Sequence, residues 1–218
     1  MLSPKYPFEV ARSHSTEPMP FAAKRDIQAH RLQSIERNQP GRAGIESFVR
    51  TIYAKRYGAD VRDFAPFMVA LRDETGTTIA AAGYRPAAYG PLFLEHYLAA
   101  PVEALLARDA GERADRASIV EVGHLAASRA GVGRVLMELL GLQLSAQGFR
   151  WVVGTLTAEL RHLVVRLGIV PQALGVADPS ALGADAARWG RYYDHRPVVL
   201  AGRIDTSLQE LAKHSVRS

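Results

Sequence analysis

Residues 120–134, VEVGHLAASRAGVGR, pass from an apolar strand-like segment into a helix-like one through a turn that contains Gly131 and Gly133. The glycines of such a turn can have a purely conformational role, since glycine tolerates backbone dihedral angles that other residues avoid. It can also bind phosphate, because free amides at a helix start attract anions, and Arg129 and Arg134 would add positive charge. The spacing matches neither GxGxxG nor a P-loop. Both interpretations, turn and phosphate site, are open on these residues alone.

Glu121 is a carboxylate inside this otherwise apolar strand. Burial would raise its pKa toward the range that a general base needs. The structural alternative is a buried carboxylate held by Arg85 or by backbone amides. Period-two alternation predicts that His124 lies on the opposite face of the strand, so the two should not form a direct dyad. His124 is then a core or edge histidine, or a substrate contact.

Metal and nucleophile chemistry has little support in the sequence. The chain has no cysteine, which excludes disulfides and a thiol nucleophile. It has no GxSxG elbow, and the DETG turn does not follow a calcium-loop pattern. His96, His124, His162 and His195 lack the short spacing of zinc ligands, so no metal is expected.

Periodicity and breaker residues predict the elements that position these groups. Four prolines favour an extended arm over residues 1–23, followed by one domain over 24–218. Strand–helix–strand–helix order over 118–169 is typical of a parallel crossover unit. The predicted elements are a weak strand at 26–32, a helix at 43–59, a hairpin at 67–71 and 78–84, short or kinked helices in 92–111, a strand at 118–128, a helix at 133–147, a strand at 151–157, a helix at 158–169, a loop with a short helix at 178–190 and a strand at 195–204.

Composition limits the class of protein. With 218 residues, 48% hydrophobic and 22% charged, the chain is typical of a globular α/β protein. A net charge of +5 favours anionic partners such as phosphorylated cofactors, whereas the scattered Lys and Arg argue against a nucleic-acid surface. No apolar run reaches the roughly 18 residues of a transmembrane segment or forms a secretory signal, so a cytoplasmic protein is predicted.

Five blocks that occur in order over residues 45–204 resemble the thermostable haemolysin family: AAAGYRPAAYGPLFLEHYL, IVEVGHLAAS, GVGRVLMELL, GTLTAELRHLVVRLGI and WGRYYDHRPVVLAG. The glycine turn and its flanking elements also resemble the GNAT superfamily of acyltransferases, with Ser128 where that pattern has Arg or Gln. The first two blocks are similar to acyl-homoserine-lactone synthases. Arg85 and Glu121 match an arginine and a glutamate of those enzymes, and Gly123 and His124 replace a Ser-Arg pair.

These resemblances imply a GNAT-like α/β fold, with a mixed central sheet flanked by helices. They imply a donor that is acyl-CoA or the acyl-phosphopantetheine of an acyl carrier protein, and a small-molecule amine as acceptor. In this reaction Glu121 would deprotonate the amine, and Tyr193 or Tyr192 would protonate the departing thiolate. Arg85 and His124 would contact substrate, with Arg85 orienting a carboxylate or Glu121 itself. The implied donor-binding residues are Leu125, Ala126 and Ala127 for pantetheine, and Ser128, Arg129, Gly131, Val132, Gly133 and Arg134 for pyrophosphate.

Two other functions compete with this one. The family name implies membrane lysis, for which the apolar helix at 133–147 and the segment LFLEHYLAAPVEALL could insert into a bilayer surface. An apolar helix face is also what covers a sheet, which favours a core role for both segments. The third candidate is a catalytically inactive GNAT-like domain that binds a ligand. A homodimer is kept open as an assembly.

Overall fold

The computed structural model describes residues 31–110 and 114–215, so the predicted arm over 1–23 lies outside the described residues. A seven-stranded sheet forms the centre of the molecule. Its strands are β1 (Arg31–Glu36), β2 (Phe67–Arg72), β3 (Thr78–Pro86), β4 (Ile119–Ala127), β5 (Trp151–Leu156), β6 (Gln172–Val176) and β7 (Val198–Arg203). The α-helices of the described residues are α1 (Arg42–Tyr57), α2 (Val102–Ala110), α3 (Val132–Ala146), α4 (Ala158–Arg166) and α5 (Ile204–Ser215).

The sheet is mixed, as predicted. Its strand order is β1-β2-β3-β4-β5-β7-β6, and β4–β5 is the parallel pair among otherwise antiparallel neighbours. The connection β4-α3-β5 is therefore the predicted parallel crossover. It places the glycine turn at the carboxyl end of a central strand, where ligands bind in open α/β sheets.

The two segments considered for membrane insertion bury their apolar side chains in the core. In α3, Leu136, Leu140 and Leu144 pack against the sheet. In the segment from Leu92 onward, Leu94 and Leu106 are fully buried in a second cluster. No helix of the described residues is long and apolar enough to cross a membrane.

Three elements differ from the prediction. The strand expected at 26–32 lies mostly outside the described residues, and the described edge strand is Arg31–Glu36. β6 was not predicted, because this short, half-exposed strand is defined by its pairing with β7 and not by a pattern of its own. α5 was also not predicted, although Ile204, Leu208 and Leu211 have helical spacing.

The pairing of β4 with β5 ends early. Residues 119–121 pair with 151–153, whereas β4 continues to Ala127 and β5 to Leu156. At the divergence, a Cβ on Gly154 would lie 2.7 Å from the carbonyl oxygen of Val122, so glycine permits this close approach. Beyond Glu121, the edge of β4 that faces β5 has no strand partner among the described residues. The site forms in this opening.

Candidate active site

Two cavities adjoin where β4 and β5 diverge. The first, of about 410 Å³, lies between β3, β4, the end of α1 and the 3₁₀ segments Pro179–Trp189 and Tyr192–His195. The second, of about 450 Å³, follows the end of β4 and the start of α3. Tyr53, Tyr57, Leu125 and Leu160 line both cavities, so the two spaces share a wall.

Glu121 lines the first cavity and is held by backbone amides. Its Oε2 accepts a hydrogen bond from the amide of Phe93 and its Oε1 one from the amide of Leu94, both at 2.9 Å. Burial raises the pKa of Glu121, while the two amides and the charge of Arg85 oppose that rise; the pKa stays above its ordinary value. Each carboxylate oxygen keeps a second lone pair. The same side chain can thus be anchored and still accept a proton.

The amides that hold Glu121 belong to the 3₁₀ segment Phe93–Tyr97, which is anchored by a charge cluster. Arg116 donates to both oxygens of Glu95 at 2.8 and 2.9 Å and to Glu103 at 2.6 Å. Burial alone would raise the pKa of Glu95, but the hydrogen bonds from Arg116 and from the amides of Val102 and Leu92 lower it to about 2. Nothing in the sequence pattern pointed to this cluster.

Arg85 lines the first cavity and is the register partner of Glu121 on the neighbouring strand. Its Nη1 donates to the carbonyl oxygen of Pro91 at 3.3 Å. Across residues 31–110 and 114–215, no carboxylate lies within the 4 Å of an ion pair with its guanidinium. The sequence left two structural partners open for Glu121, Arg85 or backbone amides. In the structure, the backbone amides of Phe93 and Leu94 hold it.

His124 lines the same cavity as Glu121, so the predicted placement on the opposite face is wrong. The strand alternation is interrupted there, because His124 has a φ of 52° and the β3–β4 register shifts between Ala81 and Gly83. The His124 Nε2 donates to the carbonyl oxygen of Asp63 at 3.1 Å, and its ring packs on Phe64. Each of Glu121 and His124 is held by other partners.

Burial also decides the charge of His124. It lowers the pKa of the imidazole to about 4, helped by the nearby charges of Arg85 and Arg42, and the buried Nδ1 has no hydrogen-bond partner. With Nε2 donating to a carbonyl, the ring is neutral at pH 7. His124 therefore contributes a neutral wall to the cavity.

We expect acid to destabilise the protein through His124. The unfolded chain takes up the proton near pH 6.5 but the folded chain only near pH 4, so the free energy of unfolding should fall with pH across that window. The slope reaches at most about 1.4 kcal/mol per pH unit. Urea unfolding at pH 7.5, 6.5, 5.5 and 5.0 would measure it. His124→Gln should be less stable at pH 7.5 but lose less of its stability on acidification; equal slopes for the two proteins would contradict the assignment.

Tyr192 and Tyr193 both line the first cavity, but their hydroxyls have different partners. The hydroxyls of Tyr193 and Tyr97 lie 2.7 Å apart, and both rings line the cavity. Burial raises the pKa of Tyr193, and the hydrogen bond with Tyr97 opposes that rise. Tyr192 is buried and donates to the carbonyl oxygen of Thr155 at 3.2 Å. Of the two candidates, Tyr193 has the hydroxyl pair at the site.

An aromatic wall completes the first cavity. Tyr53 stacks on Tyr192 at 6.4 Å, and Trp189 packs against Tyr192 at 5.5 Å and against Phe93 at 5.8 Å. Sequence reasoning missed Tyr53, Trp189 and Phe93 as site residues. Their helical or loop positions looked like ordinary core residues, and only the tertiary fold brings them together.

The glycine turn lies at the mouth of the second cavity. Gly131 has a φ of 85° and precedes α3, so the turn interpretation holds for Gly131, whereas Gly133 does not have a positive φ. Of the predicted donor-binding residues, the cavity is lined by Leu125, Ala126, Ala127, Arg129, Gly131, Gly133 and Arg134. Ser128 and Val132 do not line it: the Ser128 hydroxyl donates to the carbonyl oxygen of Ile79 at 3.0 Å, and Val132 packs in the core.

A mixed sheet that opens beside a glycine turn at a helix start defines a GNAT-like fold, and solved structures share it. TofI in an apo form superposes with a TM-score of 0.59 at 17% identity, over 84% of this chain and 95% of that one. FeeM, an N-acyl amino acid synthase from uncultured soil microbes, gives 0.58 at 15%, over 85% and 98%. BjaI, a CoA-dependent acyl-homoserine lactone synthase with SAM and isopentyl-CoA, gives 0.59 at 14%, over 86% and 90%.

Residues 35–208 match the thermostable hemolysin family, so the chain belongs to that family. This confirms the resemblance drawn from the five sequence blocks. No curated protein matches the sequence. At these identities, the solved structures establish the fold.

Proposed function

We propose that the protein transfers an acyl group from acyl-CoA to an amine. The observation that carries the proposal is the opening between β4 and β5, which joins a cavity beside the glycine turn to a cavity that contains Glu121. The unpaired edge of β4 offers backbone groups to the amides of a pantetheine arm, as an exposed strand edge does to an extended peptide. Because Leu125, Ala126 and Ala127 would act through their main-chain groups, small side chains suffice there, as at Ala126 and Ala127.

The second cavity suits the phosphates of the donor. The first amides of α3 face an anion at the positive end of the helix dipole, with Arg129 and Arg134 beside the turn. Arg56, on the last turn of α1, adds a cation from the opposite wall. Acyl-CoA and the phosphopantetheine of a carrier protein share the arm and its phosphate, and we favour acyl-CoA because three arginines suit its larger charge. We also propose that the protein is cytoplasmic.

The reaction needs one base and one acid. Glu121 takes a proton from the amine, whose nitrogen then attacks the thioester carbonyl carbon. The new C–N bond forms, the C–S bond breaks, and the thiolate takes the proton of the Tyr193 hydroxyl. Tyr97 stabilises the Tyr193 oxygen through their hydroxyl contact. Glu121 releases its first proton to solvent and takes the second proton from the nitrogen as the intermediate collapses. That second proton returns to the Tyr193 oxygen, so the products are an amide, free CoA and one proton in solvent.

Gly133→Glu should weaken CoA binding without harming the fold. A Cβ on Gly133 meets only Cβ of Ala127, at 3.9 Å, and an acidic side chain in the first turn of α3 is favourable for the helix. Its charge would repel the donor phosphates. We expect Kd for CoA to rise at least about 10-fold, or about 1.4 kcal/mol. Isothermal titration calorimetry with CoA and with short- and long-chain acyl-CoAs measures it.

Gly133→Gln is the matched control, since it has nearly the same size without the charge. It should weaken CoA binding much less than Gly133→Glu. Equal losses in both variants would mean that bulk and not charge matters, and would contradict a phosphate site. Absence of CoA binding by the unmodified protein would overturn the proposal, and lysis of liposomes without an acyl donor would then favour the membrane-active alternative.

A further inference from the structure

The charged side chains at the rim of the first cavity form ion pairs with one another. Arg62 pairs with Asp60 at 2.6 Å. Arg188 pairs with Asp185 at 2.9 Å and with Asp63 at 3.3 Å. These pairs lie toward the solvent-exposed rim, where Arg62 pairs with one acidic group and Arg188 with two.

Among the arginines of the described residues that line this cavity, Arg85 is the one without an ion pair. It is half-buried, and its five N–H donors have a single long hydrogen bond, to the carbonyl oxygen of Pro91. Glu121 does not take up the remaining donors, since no carboxylate of the described residues lies within 4 Å of the Arg85 guanidinium and Glu121 is held by amides of the 3₁₀ segment. His124 is neutral and its Nε2 donates elsewhere. A guanidinium in such a position is suited to bidentate binding of a carboxylate.

The position of Arg85 relative to Glu121 matches the layout of an amino acid. The two residues are register partners on adjacent antiparallel strands, and both line the cavity. Cross-strand partners have Cβ atoms about 5 Å apart. A ligand whose carboxylate lies on the Arg85 guanidinium can therefore present an α-amine to Glu121.

We infer that Arg85 binds the carboxylate of the acyl acceptor, and that the acceptor is an amino acid with an apolar or aromatic side chain. The carboxylate follows from the unpaired guanidinium in the cavity. The side-chain class follows from the opposite wall, where Trp189 and Tyr192 present aromatic surface to the same space. The inference rests on the proposed acyl transfer for the identity of the reaction, and on Arg85 itself for the binding of the carboxylate.

Matched acceptors test the inference. L-phenylalanine is compared with 2-phenylethylamine, and L-leucine with 3-methylbutylamine, each pair differing only by the carboxylate. With an acyl-CoA donor, the unmodified protein should prefer each amino acid in kcat/KM. Arg85→Gln should lower that preference about 100-fold. Arg85→Lys should recover part of it, because it restores a charge but not the bidentate geometry.

Arg62→Gln is the control, since it removes a cation from the rim of the same cavity that is already paired with Asp60. It should leave the preference unchanged.

A direct binding measurement separates the two proposals. Calorimetric titration of L-phenylalanine should detect binding to the unmodified protein, weakened at least about 10-fold by Arg85→Gln, even if no acyl-CoA is turned over.

The outcomes are distinct. Failure of CoA binding overturns the acyl transfer, and L-phenylalanine binding that depends on Arg85 still supports the carboxylate site. If the protein acylates both amines and amino acids and Arg85→Gln does not change the preference between them, the carboxylate site is overturned. The acyl transfer then still stands. No binding of either amino acid by the unmodified protein also overturns the inference.

Discussion

Glu121→Gln is expected to lower kcat for acyl transfer by about 10²- to 10⁴-fold, the range in which a positioned general base contributes. The variant cannot accept the proton that the amine must lose before it attacks the thioester. Its affinity for CoA should stay within about 3-fold of the unmodified protein, because the donor phosphates bind at the other cavity. Steady-state release of CoA thiol, together with calorimetry for the donor, measures both quantities.

A purely structural role of Glu121 would give a different pattern. Glutamine keeps one acceptor oxygen for the amides of Phe93 and Leu94 but places an NH₂ group against the other, so some loss of stability is expected in either case. The distinguishing readout is the dependence on amine protonation. An acceptor that arrives unprotonated, such as hydroxylamine, should restore much of the lost rate in Glu121→Gln. A variant equally impaired with hydroxylamine, and destabilised in proportion, would show that Glu121 only anchors the 3₁₀ segment.

Local signals in the sequence were enough for the centre of the fold. The apolar strand at 119–127, the glycine turn and the amphipathic α3 follow from periodicity and from glycine at a helix start, and these depend only on neighbouring residues. The hairpin β2–β3 follows in the same way from the polar turn between two apolar runs. The crossover order then fixed the parallel pairing of β4 with β5.

Features that depend on distant residues could not be predicted. The irregularity at His124 places its side chain on the other face of β4 from the one predicted. It accompanies a register shift between β3 and β4 and the packing of the imidazole ring on Phe64. The amides that hold Glu121 come from a segment 27 and 28 residues earlier in the chain. A carboxylate in an apolar strand indicates that partners exist but not which ones.

The charge cluster around Arg116 carries the second large expected effect. Arg116→Met should lower the free energy of unfolding by up to about 3–5 kcal/mol, the loss when one partner of a fully buried ion pair is removed, since this cluster is partly buried. The side chains of Arg116, Glu95 and Glu103 are only 26%, 15% and 13% exposed, so the two carboxylates would be left without their cation and largely without water. Two backbone carbonyls, of Ala87 and Gly90, would lose a donor as well. Urea unfolding at pH 7 measures the change.

Arg62→Met is the control for Arg116→Met, because Arg62 and Asp60 form an exposed pair at 65% and 57% exposure and such pairs contribute about 0–1 kcal/mol. The pH dependence gives a second, independent readout. The folded pKa of Glu95 is about 2, below the ordinary 4.5, so its contribution to stability is complete above pH 4.5 and is lost as the pH falls toward 2. Arg116→Met should lose less stability over that range than the unmodified protein. If both variants change stability equally at pH 7, the cluster does not anchor the segment that holds Glu121. If Arg116→Met instead lowers kcat while still folded, the cluster positions the base as well as stabilising the fold.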